Sequence, residues 1–121
     1  MTERVNIFSE SEFESLVGYS RAVRVGPHVV VAGTTAPGPD AATQARLALR
    51  RIEDALGRAG AALADVVRSR IYVTDISTWR DVGAVHAEVF GDIRPAATMV
   101  EVSALISPEL FVEIEVDAWI A

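Results

Sequence analysis

FVEIEVDAWI, residues 111–120, is a strand with two unlike faces. Val112, Ile114, Val116, Ala118 and Ile120 project one way, and Phe111, Glu113, Glu115, Asp117 and Trp119 project the other, because side chains alternate along extended backbone. The first row is wholly apolar and fits beneath helices. The second row carries three carboxylates between two aromatic rings, which suits a polar-rimmed contact with another subunit better than open water.

The neighbouring segments repeat the pattern. In RPAATMVEV (94–102) and the residues after it, Thr98, Val100, Val102 and Ala104 oppose Ala97, Met99, Glu101 and Ser103. The apolar content assigns the first of these rows to the helix side and the second to the mixed face. Around residue 70, Val67, Ser69, Ile71 and Val73 oppose Arg68, Arg70, Tyr72 and Thr74.

Working outward, RVNIF (4–8) reads as a short edge strand, and Ser20 to Ala32 as a hairpin turning at Gly26-Pro27. GTTAPGPD (33–40) has the composition of a loop. Asp40 caps a helix to about Arg58 whose Ala45, Leu49, Ile52 and Leu56 form one apolar stripe, with Gly60 as its stop. Gln44, Arg46, Arg50, Arg51, Asp54 and Arg58 fall on its wet side. A strand follows over 66–74, and Thr78 with Asp81 is a capping-box pattern opening a second helix to Phe90. Two strands close the chain, 96–105 and 110–120, joined through Ser107-Pro108. The order β-β-β-α-β-α-β-β, with two helices on one face of a mixed sheet, is a two-layer α+β fold.

Composition narrows the function. The chain of 121 residues suits one domain, and half of it is apolar, more than so small an interior can hold. A buried subunit interface is the natural outlet. No apolar run reaches the roughly 18 residues that cross a bilayer. The opening residues also lack the basic head and apolar middle of a secretory signal, so a cytoplasmic protein without a membrane partner is expected. There is no cysteine, which removes thiolate nucleophiles and zinc–thiolate sites. The net charge is −6 and there is no lysine, so nucleic acid is not the expected partner.

Four groups of residues could carry chemistry. Glu101, Glu113, Glu115 and Asp117 share the mixed face with Arg68 and Arg70, either as a salt-bridged interface or as the setting of a proton-transferring glutamate. His86 lies among Val82, Val89 and Phe90, as a packing residue or as an acid–base group. His28 sits in the hairpin turn, and two distant histidines give a metal site little support. Tyr19 and Arg21 project together and could hold a small carboxylate. Gly33, at a strand end, lets backbone N–H groups approach a ligand.

GYSRAVRVGPHVVVAGTTA (18–36), AATQARLALRRIEDALGRAG (41–60), DVVRSRIYVTDI (65–76), RPAATMVEVSAL (94–105) and VEIEVDAWIA (112–121) together resemble the RidA/YjgF/UK-type family of reactive-intermediate deaminases. The resemblance covers nearly the whole chain, and the closing PA-x-x-x-VEV and VEIE pair is its most specific part. It implies a chorismate-mutase-like fold and a homotrimer with clefts between subunits. It also implies hydrolysis, without a cofactor, of 2-imino acids to 2-oxo acids and ammonia. On this likeness Tyr19 is the cleft tyrosine, Gly33 the strand-end glycine and Glu113 the glutamate that positions water. Three positions depart from the family pattern. Ala97 stands where the deaminases carry the arginine that grips the substrate carboxylate, Met99 where they carry a cysteine, and Gly83 where they carry an asparagine. Without that arginine, ordinary 2-iminopropionate hydrolysis is expected to be weak.

Two functions follow as expectations. The first is a cofactor-free hydrolase or deaminase for a small imine, enamine or related carbonyl compound. In it Glu113 is catalytic, Tyr19, Gly33, Ala97, Thr98, Met99 and Glu101 line the substrate, and Arg21 or Arg94 replaces the lost anion grip. The second is a trimer that binds a small metabolite or a protein without turnover.

Overall fold

The computed structural model describes residues 3–121. Six strands form one mixed sheet in the order β1-β2-β3-β6-β4-β5: β1 Arg4–Ile7, β2 Ala22–Val25, β3 His28–Thr34, β4 Val66–Val73, β5 Ala96–Glu101 and β6 Val112–Trp119. Every pairing is antiparallel except that of β4 with β5, which are joined through a helix. The helices are α1 Glu12–Val17, α2 Ala41–Arg58 and α3 Trp79–Phe90. The α+β architecture read from the sequence is the observed one.

Local chemistry sets the boundaries. Gly26 takes φ 59°, which a two-residue hairpin loop needs and an L side chain resists. The Asp40 carboxylate accepts the Thr43 N–H at 2.8 Å at the start of α2. At its end Gly60 takes φ 87°, while the Ala61 N–H returns to the Leu56 carbonyl at 2.8 Å. Arg24 adds a clasp from β2, its Nη1 donating to the Ala59 carbonyl at 2.9 Å.

The core lies between α2, α3 and one sheet face. Val112, Ile114, Val116 and Ala118 of β6 are fully buried against Leu49, Ile52 and Leu56 of α2 and Val82, Val85 and Phe90 of α3. Glu113, Glu115 and Asp117 stay half-exposed on the other face, as the alternation required, whereas Phe111, just before β6, packs against the core.

Several details differ from the sequence reading. The six-residue α1 was not expected. Ser11 caps it, accepting the Phe13 N–H, and Gly18 ends it at φ 87°. Thr78 opens α3 without a side-chain cap, because its hydroxyl donates instead to the Asp75 carbonyl at 2.7 Å. Gln44, assigned to the wet side of α2, is wholly buried. Its amide donates to the Gly38 and Glu109 carbonyls and accepts the Phe111 N–H, tying both loops beside the site to the start of β6. In β4 a bulge between Val66 and Arg68 buries Val66 and leaves Val67 exposed.

The largest correction concerns β5. Parallel partners share a face, and the register pairs Ser69 with Ala97, Ile71 with Met99 and Val73 with Glu101. Ala97, Met99 and Glu101 therefore lie on the helix side of the sheet, and Thr98 and Val100 on the open face beside Arg70 and Tyr72. The sequence reading had these rows reversed. It weighed apolar content, but β5 is an edge strand that the helices scarcely cover. Only Met99 of residues 96–101 is even half-buried, packed against the core, so apolar content did not decide the phase.

Candidate functional site

Glu113 stands on the open face of β6 where β3 bends. The register between β3 and β6 shifts between Val31 and Thr34, so Gly33 faces the Glu113 side chain. A Cβ at Gly33 would collide with Oε2 of that carboxylate and lie 3.0 Å from its Cδ. The absence of a side chain at Gly33 thus makes the space that Glu113 fills. Burial pushes the Glu113 carboxyl above the usual carboxylate range, the Glu115 charge adds to this, and the Arg21 guanidinium opposes it.

Arg21 holds the other side of this bend. Nη1 donates to the Thr34 hydroxyl at 2.9 Å, and Nη1 and Nη2 share the Gly33 carbonyl at 3.3 and 3.2 Å. Its Cζ lies 5.7 Å from the centroid of the Tyr19 ring. Its Nε, buried without a hydrogen bond, lies 3.9 Å from the carboxylate of Glu14. Glu14 is a buried acid of α1 whose other contacts are the N–H and hydroxyl of Ser9. Arg21, expected to replace the lost anion grip, has most of its donor fork engaged by the Gly33 carbonyl and the Thr34 hydroxyl.

Tyr19, Arg21, Gly33 and Glu113 line one groove of about 1250 Å³, walled by Phe13 and Val17 of α1, the 35–38 loop, Leu110 and the flank of α2. Gly33 and Glu113 also border a shallower hollow of about 400 Å³ on the open sheet face, next to Tyr72 and Glu115. There the Tyr72 hydroxyl donates to Glu115, which holds its phenol above the usual tyrosine range, and Arg70 lies 3.9 Å from Glu115 and 3.6 Å from Asp117. The acid-rich open face is thus partly self-neutralised.

The remaining candidates lie elsewhere. Glu101 accepts the Ile76 N–H at 3.0 Å on the helix side and is not beside Glu113. Thr98 is on the open face in register with Arg70. Ala97 is exposed next to Ser69, whose hydroxyl lies 2.8 Å from His86 Nε2. His86 also packs on the Phe90 ring, centroids 4.8 Å apart, and burial lowers its pKa, so it is neutral at pH 7. Arg94, in the turn that follows α3, takes φ 53°, its Nε donating to the Gly91 carbonyl at 3.1 Å, and it lines neither hollow at Glu113. The sequence reading missed Glu14, Phe13 and Val17. The signal was present in Ser11 and Gly18, a cap and a stop six helical residues apart.

The sequence profile of the family described as Endoribonuclease L-PSP matches residues 9–120. The chain belongs to this family. A RutC family protein of Pyrococcus abyssi is 32% identical over 121 residues, covering 93% of this chain and 94% of that protein. The 3-aminoacrylate deaminase RutC of Acinetobacter baylyi is 37% identical over 75 residues, 62% of this chain and 59% of that protein. Among solved structures, a Mycobacterium tuberculosis member of the YjgF/YER057c/UK114 family superposes with a TM-score of 0.96. It is 69% identical, covering 98% of this chain and 100% of that one. The likeness to the RidA/YjgF family read from the sequence is therefore a membership.

Proposed function

We propose that this protein is a cofactor-free hydrolase that deaminates a small imine or enamine at Glu113, in a cleft completed by a neighbouring copy within a homotrimer. The observation that carries the reading is the Glu113 carboxyl seated against Gly33, half-buried and with a raised pKa. Such a group suits both halves of imine hydrolysis. As carboxylate it takes a proton from water as the oxygen adds to the C=N carbon. As carboxylic acid it returns that proton to nitrogen to give the carbinolamine, and it then carries the carbinol O–H proton to nitrogen, so that the C=O bond forms as the C–N bond breaks and ammonia leaves. Tyr19 and the Gly33 backbone orient the substrate. The name of the Acinetobacter relative, a 3-aminoacrylate deaminase, supports an enamine or imine as the substrate class. The net charge of −6 and absence of lysine favour a small molecule over RNA.

The trimer is part of the reading for a geometric reason. Glu113 lies on the open side of the sheet and Ala97 and Met99 on the helix side of its edge strand, so residues of both sets share one site only if two copies are apposed. A second reading, a trimer that binds without turnover, is favoured by Ala97, whose methyl group offers no donor for a carboxylate.

An amino-acid oxidase that generates imines of graded side-chain size distinguishes the two. The hydrolase reading expects ammonia release above the buffer rate for at least one of them, with 2-iminopropionate among the weakest. No acceleration across the panel overturns it in favour of the binding trimer.

A further inference from the structure

The groove beside Glu113 is larger and less polar than a three-carbon acid requires. Pockets for drug-sized ligands span roughly 300–1000 Å³, and this one reaches about 1250 Å³. Along one wall Phe13 and Val17 of α1 are 41% and 69% exposed, and Ile106 and Leu110 continue the apolar lining. Exposed apolar side chains gathered on a groove mark a ligand surface more often than chance scatter does. The opposite wall is net cationic, with Arg50, Arg51 and Arg58 of α2 around a single carboxylate, Asp54. Arg51 and Arg58 are exposed on the flank of α2, seven residues apart and so on one helix face. Arg51 spends one donor on the Thr35 carbonyl at 2.8 Å, and neither forms an ion pair among the described residues. Arg21 is a poor anion grip by comparison, since it is bound to Gly33 and Thr34.

We propose that this groove selects carboxylates bearing a bulky apolar side chain, the side chain lying against Phe13 and Val17 and the carboxylate against Arg51 and Arg58. The proposal names the substrate class for the reaction assigned above and rests on that reading for its chemistry. The α2 arginines then supply the anion grip that Ala97 cannot. The step itself is unchanged, with water adding at the C=N carbon and ammonia leaving.

The test uses two unreactive, product-like probes, phenylpyruvate and pyruvate, with binding to the protein measured by calorimetry. Burying most of an aromatic ring is worth on the order of tenfold or more in affinity, so phenylpyruvate should bind at least about tenfold tighter. Phe13→Ser should erase most of that preference while leaving pyruvate unchanged. Val17→Ser, at a more exposed position, should reduce it severalfold even if the first variant folds poorly. Arg51→Met combined with Arg58→Met should weaken both probes about tenfold, the scale of one charge-assisted contact. Equal affinity for the two probes, or a preference that survives both α1 substitutions, overturns the proposal, as does unchanged binding in the double arginine variant. Turnover is not read here. Intact selectivity in an inert protein would count against the hydrolase alone, and turnover without selectivity would count against this inference alone.

Discussion

Gly33→Ala separates the part of this bend that builds the fold from the part that places Glu113. The backbone at Gly33 is not left-handed, so alanine meets no φ penalty there. Replacing glycine at a compatible position stabilises by about 0.4–1 kcal/mol through the unfolded chain. Against this, the new methyl group lies 3.0 Å from Glu113 Cδ and closer still to Oε2. Carbon contacts are comfortable at 3.5–4.0 Å, and Oε2 stands nearer the new methyl group than Cδ does, so the carboxyl must retreat by about 1 Å or more. The side chain is long and half-exposed, and moving it costs no more than about 1 kcal/mol. The two effects nearly cancel, and denaturant unfolding should show a change within about 1 kcal/mol of zero. Function should not be spared, since a 1 Å misplacement of a reacting group costs on the order of a hundredfold. The assay is kcat/KM on the best imine of the oxidase panel, read beside the unfolding curve. Wild-type kcat/KM in Gly33→Ala would refute the idea that the position of Glu113 matters. A loss of stability above about 2 kcal/mol would show Gly33 to be a folding requirement instead.

Arg21→Ala should destabilise the protein by about 1–3 kcal/mol in chemical denaturation, because it takes the guanidinium donors from the Gly33 carbonyl and the nearby cation from the buried Glu14; a change within about 0.5 kcal/mol would mean the guanidinium is only a surface feature. Glu113 binds its proton more tightly in the folded state, so it works against stability once pH rises above the ordinary glutamate range. The stability advantage of Glu113→Gln over wild type should therefore be absent in acid and grow towards neutrality. An advantage that is flat with pH would contradict that environment. Light scattering at micromolar concentration should give about three times the chain mass of 13.0 kDa, and a monomer would remove the intersubunit cleft.

The fold was legible because its elements are redundant. The apolar row of β6, the stripe of α2 and the Gly26 and Gly60 turns each fix a boundary by a different physical effect. Tyr19, Gly33 and Glu113 were drawn together by the family resemblance rather than by periodicity, and the spacing from Tyr19 added Arg21. The failures share a cause as well. In β5 both faces are weakly covered, so burial imposed no pattern that a sequence reader could detect. Gln44 is polar but spends its amide on backbone groups of two loops, a role that only the tertiary structure reveals. Arg21 could be placed at the bend, yet which of its neighbours would take its hydrogen bonds depended on the bulge at Thr34.

In the proposed reaction Glu113 moves the protons of imine hydrolysis. Ammonia release by wild type and by Glu113→Gln, with the same oxidase-generated imine at matched protein concentration, tests it most directly. General acid–base catalysis by one side chain contributes on the order of 10²–10⁴-fold, so the amide should lower kcat by at least about a hundredfold without altering binding of the oxo-acid product. A Glu113→Gln protein that releases ammonia as fast as wild type would contradict the account.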